Sequence, residues 1–230
     1  ERMDEVSVRY VSKTSELNQP DMVILPGTKN TIDDLLWMRQ NGLEAAVLKL
    51  AGRQVPVWGI CGGFQMLGES LEDPFGVETE TYRGRPVEGL KLLPVRTVFG
   101  KEKTRTRVTG SCASVGGILE ELSGMEIEGY EIHMGRTSAV EGETLTPLVR
   151  LENGETDGCV VDRKCAGSYI HGILDNPEVI EWLLAPYAEK LEQPQLDYAA
   201  FKEEQYNKLA DHVRKHLNMP LLYQILTQND

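Results

Sequence analysis

The sequence predicts an α/β fold: a doubly wound, mostly parallel sheet flanked by helices, with an antiparallel edge section and a C-terminal helical extension. Three observations carry this expectation. Met22-Val23-Ile24-Leu25 and Val55-Pro56-Val57-Trp58-Gly59-Ile60 are short apolar runs, the pattern of strands buried on both faces. Helix-like segments separate and follow them, and strand–helix alternation at this spacing is that of βαβ units. From Pro177 the pattern is helical nearly to the end of the chain.

Taken in order, Val6-Ser7-Val8-Arg9-Tyr10-Val11 alternates and is β-branched, which predicts a half-buried strand. The run ending at Leu25 is stopped by Pro26-Gly27. A helix then opens at Thr31, where Thr31 and Asp34 have capping-box spacing. Leu35, Leu36 and Met38 give it an apolar face, and Gly42 offers a stop. Leu43 to Leu50 predicts a second short helix. The strand ending at Ile60 runs directly into Cys61-Gly62-Gly63-Phe64-Gln65-Met66-Leu67-Gly68, with helical spacing between Phe64 and Leu67. Between Pro74 and Leu151 the chain becomes Gly-punctuated and alternating, and Lys103–Val108 and Thr146–Leu151 predict antiparallel strands on one edge. Asn176 is placed to cap a helix starting at Pro177, and Gln195 to Leu217 predicts a long amphipathic helix. These signals divide the chain into a domain over 1–192 and a helical extension of it over 193–230.

Composition narrows the function. The 230 residues carry 24 Lys+Arg against 36 Asp+Glu, a formal charge of −12 at pH 7, with no basic cluster. Such a surface repels phosphate backbones, which argues against nucleic-acid binding. No apolar run is long enough to cross a membrane, and no signal peptide heads the chain. Cys61, Cys112, Cys159 and Cys165 show no metal-binding spacing, which fits a reducing, cytoplasmic setting. No phosphate-binding Gly-x-x-x-x-Gly-Lys-[Ser/Thr] occurs, because Gly100-Lys101 is followed by Glu102. The chain opens on Glu1 and not Met, so a longer parent protein is expected.

The sharpest chemical signal is Cys61. A cysteine between an apolar strand and a helix, flanked by glycines, has the layout of a nucleophile elbow. It is expected at the carboxyl end of the sheet, where open α/β sheets bind ligands. A helix N-terminus would favour its thiolate, and the Gly62 N–H is free to face an oxyanion. His171 follows the strand-like Ala166–Ile170 and precedes Gly172, so it emerges at a strand end as the candidate base. His133 lies in a glycine-bracketed stretch that equally suits an edge strand. His212 and His216 are four apart on a helix, but no third ligand accompanies them, so they read as solvated residues and no metal is expected. Pro26-Gly27-Thr28 forms a loop on the same rim as Cys61, where Gly27 can present a second N–H.

The block Gly59–Gly68 resembles the nucleophile motif of class I (triad-type) glutamine amidotransferase domains, which have a flavodoxin-like sheet. More narrowly, Leu25–Thr31, Gly129-Tyr130-Glu131-Ile132-His133-Met134-Gly135-Arg136-Thr137 and Tyr169–Asn176 resemble the cobyric acid synthase family. The resemblance covers nearly the whole chain. It implies glutamine hydrolysis by Cys61 and His171, with Gly27, Gly62, Gln65 and Arg136 in oxyanion and substrate binding. A guanidinium fork suits Arg136 to the glutamine α-carboxylate. It also implies an upstream synthetase domain, using ATP and magnesium, that amidates corrin side-chain carboxylates of adenosylcobyrinic acid a,c-diamide in cobalamin synthesis. No cofactor is implied for this domain itself. The usual first strand is expected to lie before Glu1, which would leave a sheet edge open to self-association. His171 is followed by Gly172-Ile173 where ordinary class I domains carry Pro-Glu, so the third triad member is open: Glu131, Asp33, Asp175 or a backbone carbonyl. The a,c-diamide synthases, the lipid II amidotransferases and a non-catalytic module of the same fold are the alternatives.

Overall fold

The structure is a computed structural model that describes residues 6–113, 123–162, 164–190 and 198–227. After a short helix α1 (Thr14–Leu17), the chain builds β1 (Val23–Leu25), α2 (Thr31–Gln40), α3 (Leu43–Gly52), β2 (Val57–Ile60) and α4 (Gly62–Leu67). β1 and β2 are parallel neighbours, with Val23 opposite Val57. Much later, β9 (Cys159–Asp162) and β10 (Cys165–Ser168) return to this sheet and give the order β1-β2-β10-β9. β10 lies parallel to β2, while β9 is antiparallel and forms one edge.

Both faces of this sheet are covered, which is why its strands read as continuous apolar runs. Val57 and Trp58 point to opposite sides and are both fully buried. Val57 joins Ile32, Leu35, Val47 and Leu50 of α2 and α3. Trp58 joins Val179 and Trp182 of α5 (Pro177–Leu184), together with Ile127, Leu148 and Val149.

The antiparallel middle is more than an edge. It forms a second, six-stranded sheet of β3 (Ser70–Glu72), β4 (Val87–Glu88), β5 (Val95–Cys112), β6 (Glu126–Ala139), β7 (Val149–Leu151) and β8 (Thr156–Asp157). Its spine is the long β5–β6 ribbon, in which Phe99 faces Gly135 and Thr104 faces His133, so residues 100–103 bulge outward. β6 also touches the first sheet through a bridge between Tyr130 and His171.

Several local expectations change. Residues 6–11 form no strand: propensity without a partner ladder does not make one, and Val8 and Tyr10 are exposed. The α2 cap is Asn30, whose side chain accepts from the Asp33 N–H, and not Thr31, which lies inside the helix. Asn176 holds the N-cap position of α5, but its side chain makes no capping bond. Its amide instead exchanges hydrogen bonds with the backbone of Glu128 at 3.1 and 3.2 Å, pinning the start of α5 to β6.

The chain divides into two compact units, one of them Val8–Ala185. The other contains α6 (Tyr198–His216) and α7 (Met219–Thr227), so the long C-terminal helix is present from Tyr198, and the earlier part of its expected span lies outside the described residues. The boundary falls at Ala185, a few residues before the expected 192. No helix among the described residues is long and apolar enough to cross a membrane.

Candidate active site

Cys61 closes β2 and occupies the N-cap position of α4 with φ 51° and ψ −108°, a backbone conformation that side-chain-bearing residues seldom adopt. Such a residue stores on the order of 1–3 kcal/mol of strain and persists only where its surroundings over-determine it. Here they do. The Cys61 N–H donates to the Ser168 carbonyl at 2.8 Å, and its carbonyl accepts from the Gln65 N–H at 3.0 Å. Gly63 packs so tightly on β1 that a methyl group there would run into the Leu25 carbonyl. Its N–H donates to the Pro26 carbonyl at 3.1 Å, which draws the Pro26-Gly27 loop against the elbow.

Gly27 then brings the two candidate catalytic residues together. A methyl group placed on its α-carbon would lie 2.8 Å from His171 Cε1, 3.7 Å from His171 Nδ1 and 3.6 Å from Cys61 Cβ. One side-chain-sized space therefore borders both the imidazole and the cysteine. The Cys61 thiol donates to the Ile132 carbonyl of β6 at 3.5 Å. The Tyr130 ring lies parallel to the imidazole, 5.0 Å between centres and tilted by 8°, and the Tyr130 and His171 backbones exchange hydrogen bonds at 2.8 and 3.1 Å. The sequence reading missed both β6 contributors, because a strand from a second sheet brings them there.

The electrostatics differ from expectation. Burial pushes the Cys61 thiol above its ordinary range; the Gly62 N–H pulls the other way, while the negative charges of Glu78, Asp157 and Glu131 add to the rise. The resting group is a thiol and not the expected thiolate, since the short α4 does not offset desolvation. Burial, and then the charge of His133, holds His171 below the usual histidine range. The pair at neutral pH is a neutral thiol beside a neutral imidazole, so ionisation of the sulfur must be coupled to proton transfer.

The other expected site residues fall differently. Gln65 is buried, and both ends of its amide are committed: Oε1 accepts from the Thr31 hydroxyl at 2.8 Å, and Nε2 donates to the Tyr169 hydroxyl at 3.1 Å. It ties α2, α4 and the strand end together. Glu131 lies against His133, with 3.7 Å from Oε2 to Nε2. Asp33 accepts from the Asn30 side chain at 2.6 Å at the start of α2. His133 stacks on Tyr169 at 3.8 Å between ring centres, and its Nδ1 pairs with the Gly135 carbonyl at 2.8 Å, so it is built into the wall of the site. Arg136 is exposed and lines a cavity of about 360 Å³ with Phe75, Lys101, Thr104 and Met134. His212 and His216 stack on one another at 4.2 Å on exposed α6. Among the described residues, no three or more His, Cys, Asp or Glu side chains are grouped to hold a metal ion.

Residues 1–179 match the model of the CobB/CobQ-like glutamine amidotransferase domain. The chain belongs to that family. The CobB/CobQ-like domain is also 50% identical, over its whole length, to a cobyric acid synthase of Phocaeicola vulgatus, covering 44% of that protein. It is 46% identical to a cobyric acid synthase of Bacteroides fragilis, again over its whole length and 44% of the relative. It is 44% identical to one from Ruminiclostridium cellulolyticum, over 99% of this chain and 45% of the relative. The chain thus spans less than half the length of these curated relatives. Among solved structures, a glutamine amidotransferase aligns with a TM-score of 0.54 at 18% identity, over 78% of this chain and 86% of that one. The PurLQS structure from Thermotoga maritima aligns with a TM-score of 0.53 at 16% identity, over 74% and 82% of the two chains. At such identities these two likenesses speak for the fold, as expected for a glutamine amidotransferase domain.

Proposed function

We propose that this CobB/CobQ-like domain hydrolyses glutamine to glutamate and ammonia through a cysteine thioester, and that the ammonia serves an ATP-dependent amidation of corrin side-chain carboxylates. The observation that carries the reading is the shared border of Gly27 with Cys61 and His171.

His171 accepts the Cys61 proton as the sulfur adds to the side-chain amide carbon of glutamine. The negative charge that develops on the amide oxygen faces the Gly62 and Gly27 N–H groups. The imidazolium then gives its proton to the departing nitrogen, ammonia leaves, and a γ-glutamyl thioester remains on Cys61. His171 next takes a proton from water as the oxygen adds to the thioester carbon; the C–S bond then breaks, glutamate is released, and the imidazolium returns its proton to the sulfur. Arg136, as a cation beside a surface cavity, is offered for the glutamine α-carboxylate. The name and greater length of the relatives support a separate synthetase part that takes up the ammonia; we read that part as upstream, dependent on ATP and magnesium, with adenosylcobyrinic acid a,c-diamide as its corrin substrate.

The test is glutamate release from glutamine by the full-length protein. Cys61→Ser is expected to lower kcat by at least about a thousandfold, as nucleophile removal does elsewhere. Hydrolysis persisting in Cys61→Ser would overturn the reading.

A further inference from the structure

We propose that Asp157 is a positioning residue for the Cys61–His171 pair: from the end of β8 its carboxylate fixes the strand end that carries His171 and, through Ser168, the elbow that carries Cys61. The proposal rests on the reading of that pair as catalytic.

Asp157 is buried where the chain leaves the second sheet and, through Gly158, enters the first. Its Oδ2 accepts from the Ser168 hydroxyl at 2.5 Å, and its Oδ1 accepts from the Tyr169 N–H at 3.0 Å. The same Ser168 hydroxyl oxygen accepts from the Ile170 N–H at 3.0 Å. One carboxylate thereby controls residues 168, 169 and 170, the three that precede His171. Ser168 has a second attachment, because its carbonyl accepts the Cys61 N–H. A single side chain thus sets both the height of the imidazole and the seat of the sulfur.

The cost of this arrangement argues against a role in stability alone. The hydrogen-bond partners of the carboxylate are a hydroxyl and an amide, and the charge of His133 offsets its burial only in part. Burial accordingly pushes its pKa up to about 6. An apolar residue would close the same gap between β8 and β10 without that penalty. It would not accept two donors at once, and two acceptor oxygens are what the geometry of the strand end requires. Asn does not reproduce them: its carbonyl can keep the Tyr169 N–H, but its NH₂ obliges the Ser168 hydroxyl to turn and accept, which leaves the hydroxyl proton without its acceptor.

The experiment compares wild type, Asp157→Asn and Ser168→Ala in the full-length protein, with the folded fraction read from the unfolding transition. Asp157→Asn is expected to lower kcat per folded molecule by about 10- to 100-fold, the scale of ångström-level misplacement, while KM for glutamine stays within about threefold. Ser168→Ala should fall in the same direction but less, since it keeps the Tyr169 contact. The second readout needs no glutamine: the pH profile of Cys61 alkylation by iodoacetamide. Wild type should show an inflection from His171 that is lost in His171→Ala and also lost or displaced in Asp157→Asn. If Asp157→Asn lowers only the folded fraction, with wild-type kcat per folded molecule and an unchanged alkylation profile, the proposal is overturned. If Asp157→Asn does not fold, Ser168→Ala decides by the same two measurements. Should wild type release no glutamate, the functional reading fails, and the alkylation profiles still decide whether Asp157 positions the pair.

Discussion

Gly27 faces the His171 imidazole with no room for a side chain, since a methyl group on its α-carbon would stand 2.8 Å from Cε1. The glycine is not there for a left-handed turn, because its φ is not positive. It is there because the ring occupies the space. Gly27→Ala should therefore fold with little change in Tm yet displace the imidazole, lowering kcat for glutamine hydrolysis by about 100-fold. Steady-state kinetics beside a thermal unfolding curve check this.

The protonation states give a direction for pH dependence. Catalysis needs His171 neutral to receive the Cys61 proton, so activity falls as pH drops through the His171 pKa. Burial lowers that pKa from the ordinary 6.5, so the acid limb of kcat/KM should have its midpoint below pH 6.5. A midpoint above 7 would mean that an opposite charge, and not burial, dominates at the imidazole.

Gly63 tests the elbow itself. A methyl group there collides with the Leu25 carbonyl of β1, a backbone atom that has no rotamer with which to yield. Gly63→Ala should destabilise the domain by about 2–4 kcal/mol, within the range of severe core overpacking. Denaturant unfolding measures it, and a loss under about 0.5 kcal/mol would show that the β1–elbow contact is loose.

How much of this was legible in the sequence follows from how local each determinant is. β1, β2 and the Cys61 elbow were readable because apolar runs broken by Pro-Gly and Gly-Gly carry their own boundaries. His171 was readable as a strand end. The antiparallel section was legible, but not its extent as a second sheet, because the β5–β6 ribbon is specified by pairings such as Thr97 with Thr137, far apart in sequence. The resting state of Cys61 was missed because burial and the charges of Glu78 and Asp157 outweigh the helix end, and all three are tertiary facts. Gln65 was legible beside the nucleophile, but its bonds to Thr31 and Tyr169 were not, since both partners come from other elements. Asp157 gave no signal, since the residues it holds lie eleven and twelve positions further on and in another sheet.

The most direct test of the central claim is peptide mapping by mass spectrometry after treatment with a chloroketone analogue of glutamine, with and without excess glutamine. The account predicts one covalent adduct, on Cys61, suppressed by glutamine and lost or strongly slowed in His171→Ala. An unlabelled Cys61, with modification spread over Cys112, Cys159 and Cys165 and indifferent to glutamine, would contradict it.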